Sequence, residues 1–243
     1  MPRDLPDWGA QSSQATVHEV TDLGELAVRL GSIDRFDRRG DVLWLDDFQD
    51  GLFKWRTGTS GVGAAVDLSI NRVRNGMFAC RLKAGSDGTT QALIFRELHF
   101  PVLSGMGLEV SFHIPATTDE MQFHFSLYDG DNFHDFRFIW SDTLNELQYR
   151  DENDNHVSFA SGVNLSRATG LFHIAKLVID AENKEYARLI LDDTAYPLAG
   201  KTPSLTASAE LPKLRARIEH HGRAGVNDVA HIGDVIITQN EPL

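Results

Sequence analysis

From Val42 onward the chain alternates. In GLEVSFHIP the apolar residues Leu108, Val110, Phe112 and Ile114 are separated by Glu109, Ser111 and His113. In MQFHFSLYDG, Met121, Phe123, Phe125 and Leu127 are separated by Gln122, His124, Ser126 and Tyr128, and in DFRFIW, Phe136, Phe138 and Trp140 stand against Asp135, Arg137 and Ile139. A period of two sends successive side chains to opposite faces of a strand, so each segment reads as a strand with one buried face. LFHIAKLVID, YARLILDD and VAHIGDVIITQ supply further strands. ELQYRDENDNHVSF reads as a hairpin with DENDN at its tip, because Asp and Asn tolerate a tight turn. Many short half-buried strands joined by polar turns predict an all-β, two-sheet antiparallel jelly-roll sandwich over residues 42–243. The 243 residues, 42% of them hydrophobic, are enough to give one such domain its own core.

Residues 1–41 read differently. Pro2, Pro6 and Gly9 surround Trp8 without any apolar period, which predicts an extended arm. TDLGELAVRLGS predicts one short helix: Leu23, Leu26, Ala27 and Leu30 fall at i, i+3, i+4 and i+7, with Thr21 or Asp22 as N-cap and Gly31 as the stop. Trp8 offers a large contact area for a partner's pocket, and the Leu23, Leu26 and Leu30 stripe suits the sandwich or a neighbouring subunit. The expectation is an assembly segment that attaches the domain to other proteins or to copies of itself.

A net charge of −12 speaks against a nucleic-acid partner, since a phosphate backbone calls for a basic face. HHGR at 220–223 is too short and mixed to supply one, and the ten histidines, His220 and His221 among them, read as surface residues rather than ligands. Cys80 is the single cysteine; in MFACRLKA it shares a strand face with Phe78 and Leu82 and reads as a small buried hydrophobe. MPRDLPDWGAQ has no apolar core of a secretory signal, and no run approaches the roughly 18 apolar residues of a membrane span, so no membrane partner is expected.

The ordering of the pieces is more specific than their number. DDFQDGLFKW opens the domain, LVIDAENKEYARLILDDTAYPLAG follows much later, and VNDVAHIGDVIITQ closes it. Together they resemble the concanavalin A-like lectin/glucanase superfamily, laminin-G-like domains included, across about residues 42–240. The resemblance implies a closing strand that returns beside the first. It also implies a structural Ca²⁺ held between those strands, with Asp47 and Asp234 at the matching positions. Hard oxygen ligands suit that ion; read from the residues alone, both aspartates could equally be strand-edge or turn residues satisfied by backbone N–H groups. The leader, PRDLPDWG with the TDLGELAVRLGS helix and FDRRGD, resembles the front of structural proteins from tailed-phage virions. That likeness implies a virion location, assembly in a host cytoplasm, and other virion proteins as partners.

Catalysis finds little support in the sequence. Glucanases of the superfamily carry their carboxyls as E-x-D-x-E on one strand, and no such string occurs. Glu146, Asp151 and Glu152 come nearest, but two of them sit at the predicted hairpin tip. Asp46 and Asp47, in WLDDFQDGLFKW, are adjacent and so point to opposite faces of a strand. There is no G-x-S-x-G elbow. In DGDNFHD the twelfth position from Asp129 is Trp140 rather than Glu, which excludes an EF-hand and leaves a hairpin tip. The reading is therefore a non-enzymatic structural protein displaying a lectin-like sandwich that binds cell-surface polysaccharide. Its expected glycan contacts are His113, Gln122, His124, Tyr128, Arg137 and Arg150, with Tyr128 as the aromatic for stacking on a sugar ring. The alternatives are a free carbohydrate-binding domain and a divergent glycan hydrolase.

Overall fold

The computed structural model describes residues 39–87, 90–115 and 118–243. The expected arm and helix, with Trp8, Leu23, Leu26 and Leu30, lie outside them. Sixteen strands run β1 (Asp41–Asp46), β2 (Arg56–Ser60), β3 (Ala65–Ser69), β4 (Ala79–Lys83), β5 (Gln91–His99), β6 (Gly105–His113), β7 (Thr118–Tyr128) and β8 (Asn132–Ser141). They continue as β9 (Glu146–Arg150), β10 (His156–Ser161), β11 (His173–Asp180), β12 (Glu185–Leu191), β13 (Thr194–Lys201), β14 (Ser204–Ala207), β15 (Lys213–Gly222) and β16 (Val229–Gln239). Among the described residues there is no helix. Every pairing is antiparallel. The first sheet runs β13-β12-β11-β6-β16-β4-β3, with β1 also on β16; the second runs β10-β9-β8-β7-β15-β5-β2, with β14 on β8.

The apolar phase of each strand meets the other sheet. Phe112 of β6 reaches across to Phe123 of β7, ring centroids 5.0 Å apart, and Phe123 stacks on Phe138 of β8 at 4.4 Å. With Phe125, Phe136, Trp140, Leu177 and Ile232 they form a core closed to solvent, each large side chain contributing about 1.5–3 kcal/mol of transfer free energy. Cys80 is buried among them as expected. Tyr186 of β12 bolts the sheets together: its hydroxyl accepts from the Arg137 N–H (2.8 Å) and donates toward the Arg150 carbonyl (3.0 Å) on the opposite sheet.

The opening stretch is structural. Trp44 contacts Trp55 edge-on, and Phe48 stacks on Trp55 at 5.7 Å. Asp46 is buried, accepts from the Trp55 indole N–H (2.7 Å) and pairs with Lys54 (3.1 Å). Phe48 takes a left-handed φ of 63°, an uncommon backbone for a bulky residue, which the burial of its ring holds in place. The closing strand does return beside the first: β16 pairs with β6 along one edge, and with β4 and then β1 along the other. Gly233 forms a bulge there, so that His231 and Asp234, three apart, share the sheet's outer face. A Cβ at Gly233 would lie 2.7 Å from Ser111 Oγ and 3.0 Å from Arg74 Cβ, which is why glycine stands there.

Candidate functional site

The polar phases of β15, β7, β8 and β9 share the outer face of the second sheet. Pairing sets Glu219, Gln122, Ile139 and Gln148 in one row, Arg217, His124 and Arg137 in the next, and Arg215, Ser126 and Asp135 in the third. At the centre stands His124. Its Nδ1 lies 3.3 Å from Asp135 Oδ1 and its Nε2 3.2 Å from Glu219 Oε1, and all three side chains are buried. Each carboxylate has further partners. Asp135 accepts from Ser126 Oγ (2.8 Å) and from Arg137 (Nε 3.2 Å, Nη2 2.5 Å), while Glu219 pairs with Arg217 and with His221 Nε2 (3.0 Å). Arg137 also donates to Gln122 Oε1 at 3.3 Å.

The electrostatics follow from these contacts. Burial alone would raise the Asp135 pKa, but His124 and Arg137 outweigh it and hold the carboxyl far below its ordinary range. Glu219 behaves likewise: burial opposes ionisation, and His124, His221 and Arg217 overcome it. At Glu97, on the same face, burial is again the largest single influence and opposes ionisation, but the hydrogen bonds and charges of Arg215 and Lys213 together overcome it and lower the pKa. These three acids are acceptors, with no proton to give near neutrality.

Gln122, His124 and Arg137 thus come together as the sequence suggested. Tyr128 is on the same face but is only 4% exposed, stacked on Phe133 at 4.6 Å, with Arg215 and Lys213 over its ring and its hydroxyl bonded to Arg215. It is not free to stack on a sugar. Arg150 turns to the β9–β10 hairpin, where it pairs with Asp154 at 3.3 Å. His113 does not belong to this face; it lies on β6, in the first sheet, with Glu109 and Ser111. The expectation of surface histidines fails at His220, which is fully buried between the Leu82 carbonyl (3.0 Å) and Thr118 Oγ1 (3.4 Å). Arg217 and Glu219 escaped the sequence reading. The alternation of KLRARIEHHG could have found them, but Ala216 and His220 mark its inward phase only weakly.

The two aspartates expected at a calcium position are near enough for Asp47 to act on Asp234, and each already has other partners. Asp47 closes a turn on the Gln49 N–H (3.2 Å). Asp234 accepts from Ser111 Oγ (3.0 Å), while the Arg74 guanidinium, 3.5 Å away, stands where a cation would be repelled. Among the described residues no three His, Cys, Asp or Glu side chains come together to hold a metal ion.

No protein-family model and no curated protein matches the sequence. Solved structures do match its shape. A carbohydrate esterase, vb_24B_21, from Shiga toxin-encoding bacteriophage phi24B aligns at TM-score 0.57 and 14% identity, over 83% of this chain and 100% of that one. An endo-β-1,4-glucuronan lyase from the fungus Trichoderma reesei aligns at 0.53 and 10%, over 82% and 95%. The potassium-bound carbohydrate recognition domain of Emp46p aligns at 0.50 and 11%, over 83% and 95%. The fold is that of the concanavalin A-like lectins and glucanases. It carries enzymes and binding domains alike, so the chemistry of this chain has to be argued from its own side chains.

Proposed function

We propose that the outer face of the second sheet binds saccharide and does not cleave it. The observation that carries this reading is the row Arg217, His124, Arg137, three hydrogen-bonding side chains on adjacent strands, each braced by a buried carboxylate. His124, with both ring nitrogens facing carboxylates, sets the positions of that row, and the two arginines, held in place with N–H groups to spare, lose little rotamer freedom when a ligand arrives, which favours recognition of ring hydroxyls. Hydrolysis by a carboxyl pair needs one member protonated near neutral pH. Asp135 and Glu219 are both held well below that range, so neither serves as the acid. The esterase, lyase and recognition domain that share the fold support a carbohydrate as the ligand class.

A glycan array probed with the full chain, followed by calorimetry on the best ligand, tests the reading. Replacing Gln122 and His221 together by Ala is expected to weaken binding about tenfold or more with an unchanged far-ultraviolet spectrum. No reducing sugar is expected to be released. A chain that binds no glycan, or that releases sugar in a manner abolished by Glu219→Gln, overturns it.

A further inference from the structure

The outer face of the first sheet carries a second cluster with the opposite character. His113 of β6 and His231 of β16 are cross-strand neighbours, ring centroids 5.9 Å apart and each only 6% exposed. Neither His231 ring nitrogen has a hydrogen-bond partner, and the His113 ring has no well-formed one, only loose contacts with the backbone of Ala168 and of His113 itself. His173, on the inward phase of the neighbouring strand β11, shows what satisfaction looks like: it places Nδ1 2.7 Å from Asp192 and Nε2 2.8 Å from the Ser166 carbonyl. Leaving a buried N–H unpaired is costly, so rings held in this way call for a missing partner.

Both rings line a cleft of about 550 Å³, together with Asn71, Arg72, Arg81, Arg167 and Thr169. Arg81 is tied to Asp67 (Nε–Oδ1 2.6 Å) and Arg167 pairs with Asp142, whereas Arg72 donates to the neighbouring Asn71 carbonyl at 2.9 Å and keeps further N–H groups for a ligand. With Arg81 and Arg167 paired, Arg72, which has no carboxylate partner among the described residues, leaves the cleft net positive, and it attracts a planar or tetrahedral anion, for which the arginine fork is suited. Burial, the paired ring and the arginines also keep both imidazoles in the neutral form, His231 down at about 4, so each retains one N–H to donate and one nitrogen to accept.

We propose that this cleft is an oxyanion site, in which the imidazole N–H groups of His113 and His231 and the guanidinium of Arg72 hold a phosphate, sulfate or carboxylate group. It lies on the sheet opposite the saccharide face and does not depend on it.

The test is a titration of the full chain with inorganic phosphate at ionic strength held constant with sodium chloride, following the ¹⁵N signals of the histidine rings. The His113 and His231 signals are expected to move together and saturate. Parallel titrations with sulfate and acetate distinguish tetrahedral from planar anions. Arg72→Gln, a loop substitution that leaves the core intact, should weaken phosphate binding about tenfold while glycan binding is unchanged. Ring signals that ignore all three anions, that respond to Zn²⁺ instead, or that titrate identically in the Arg72→Gln variant overturn the proposal.

Discussion

The two outer faces of this sandwich are built from the same alternation and end in opposite electrostatic conditions. On the second sheet, every buried charge around His124 has a partner of opposite sign, and the acids are held ionised. On the first sheet, Asp234 is pushed up to about 6, by burial first and by the nearby Asp47, despite Ser111 and Arg74. Beside it His113 and His231 are pushed down. One face is complete in its charge pairs; the other carries groups whose charged forms the fold opposes. Completeness gives a rigid platform for a ligand that forms many weak contacts. Opposition gives a place where a single ion of the right sign relieves several unfavourable terms together.

The largest test of this contrast is Asp135→Ala. Removing one member of the buried cluster leaves Arg137 without its carboxylate and His124 with Glu219 alone, and should cost about 3–5 kcal/mol in urea denaturation. A loss under about 1 kcal/mol would mean that the second-sheet face is not the matched lattice described. Asp234→Asn should act in the other direction. The folded pKa of Asp234 is raised from 3.8 to about 6, so its contribution is fully present below pH 3.8 and is lost as pH rises through 6. At pH 7.5 the variant is therefore expected to be more stable by up to about 3 kcal/mol, with melting curves that converge below pH 4. Asp135 and Glu219 slope the opposite way: their lowered values give stability that is present above the ordinary carboxylate range of 3.8 to 4.5 and is lost as pH falls through the lower folded values. A pH–stability profile of the native chain that keeps falling below pH 4, flattened by Asp135→Asn, would sharpen the contrast. The smallest effect is that of Tyr186→Phe, which strips the hydroxyl joining the two sheets. It should cost about 1–2 kcal/mol and weaken glycan binding more than phosphate binding, because the bonds lost hold β8 and β9.

How far the sequence reached depends on how strongly each strand marks its two phases. β6, β7 and β8 were legible because large apolar side chains alternate with polar ones in each, and β11, β12 and β16 because they carry short apolar runs bounded by polar residues. β15 was not, since Ala216, His220 and Gly222 occupy three of its five inward positions, and with it went Arg217 and Glu219, which complete the setting of His124. Alternation also says nothing about which sheet a strand joins. His113 and His124 lie in the polar phases of consecutive strands, yet the crossover from β6 to β7 puts them on opposite outsides of the molecule. The bulge at Gly233 shifts the phase of β16 by one residue, and only the pairing with β6 reveals that His231 and Asp234 look the same way.

The pairing of β1 with β16 has a mechanical side. Asp41 lies opposite Gln239 and Asp46 opposite Val235, so the chain enters and leaves this pair at the same end. There Asn240 Nδ2 donates to Asp41 Oδ2 at 2.8 Å. A pull applied between residues 40 and 240 therefore loads one rung of the ladder at a time, starting at Asp41, as a zip opens. Force applied along β16 against β6 must instead shear many rungs together. If residues ahead of Asp41 hold the domain to something larger, tension across its two ends first peels away six residues of edge strand.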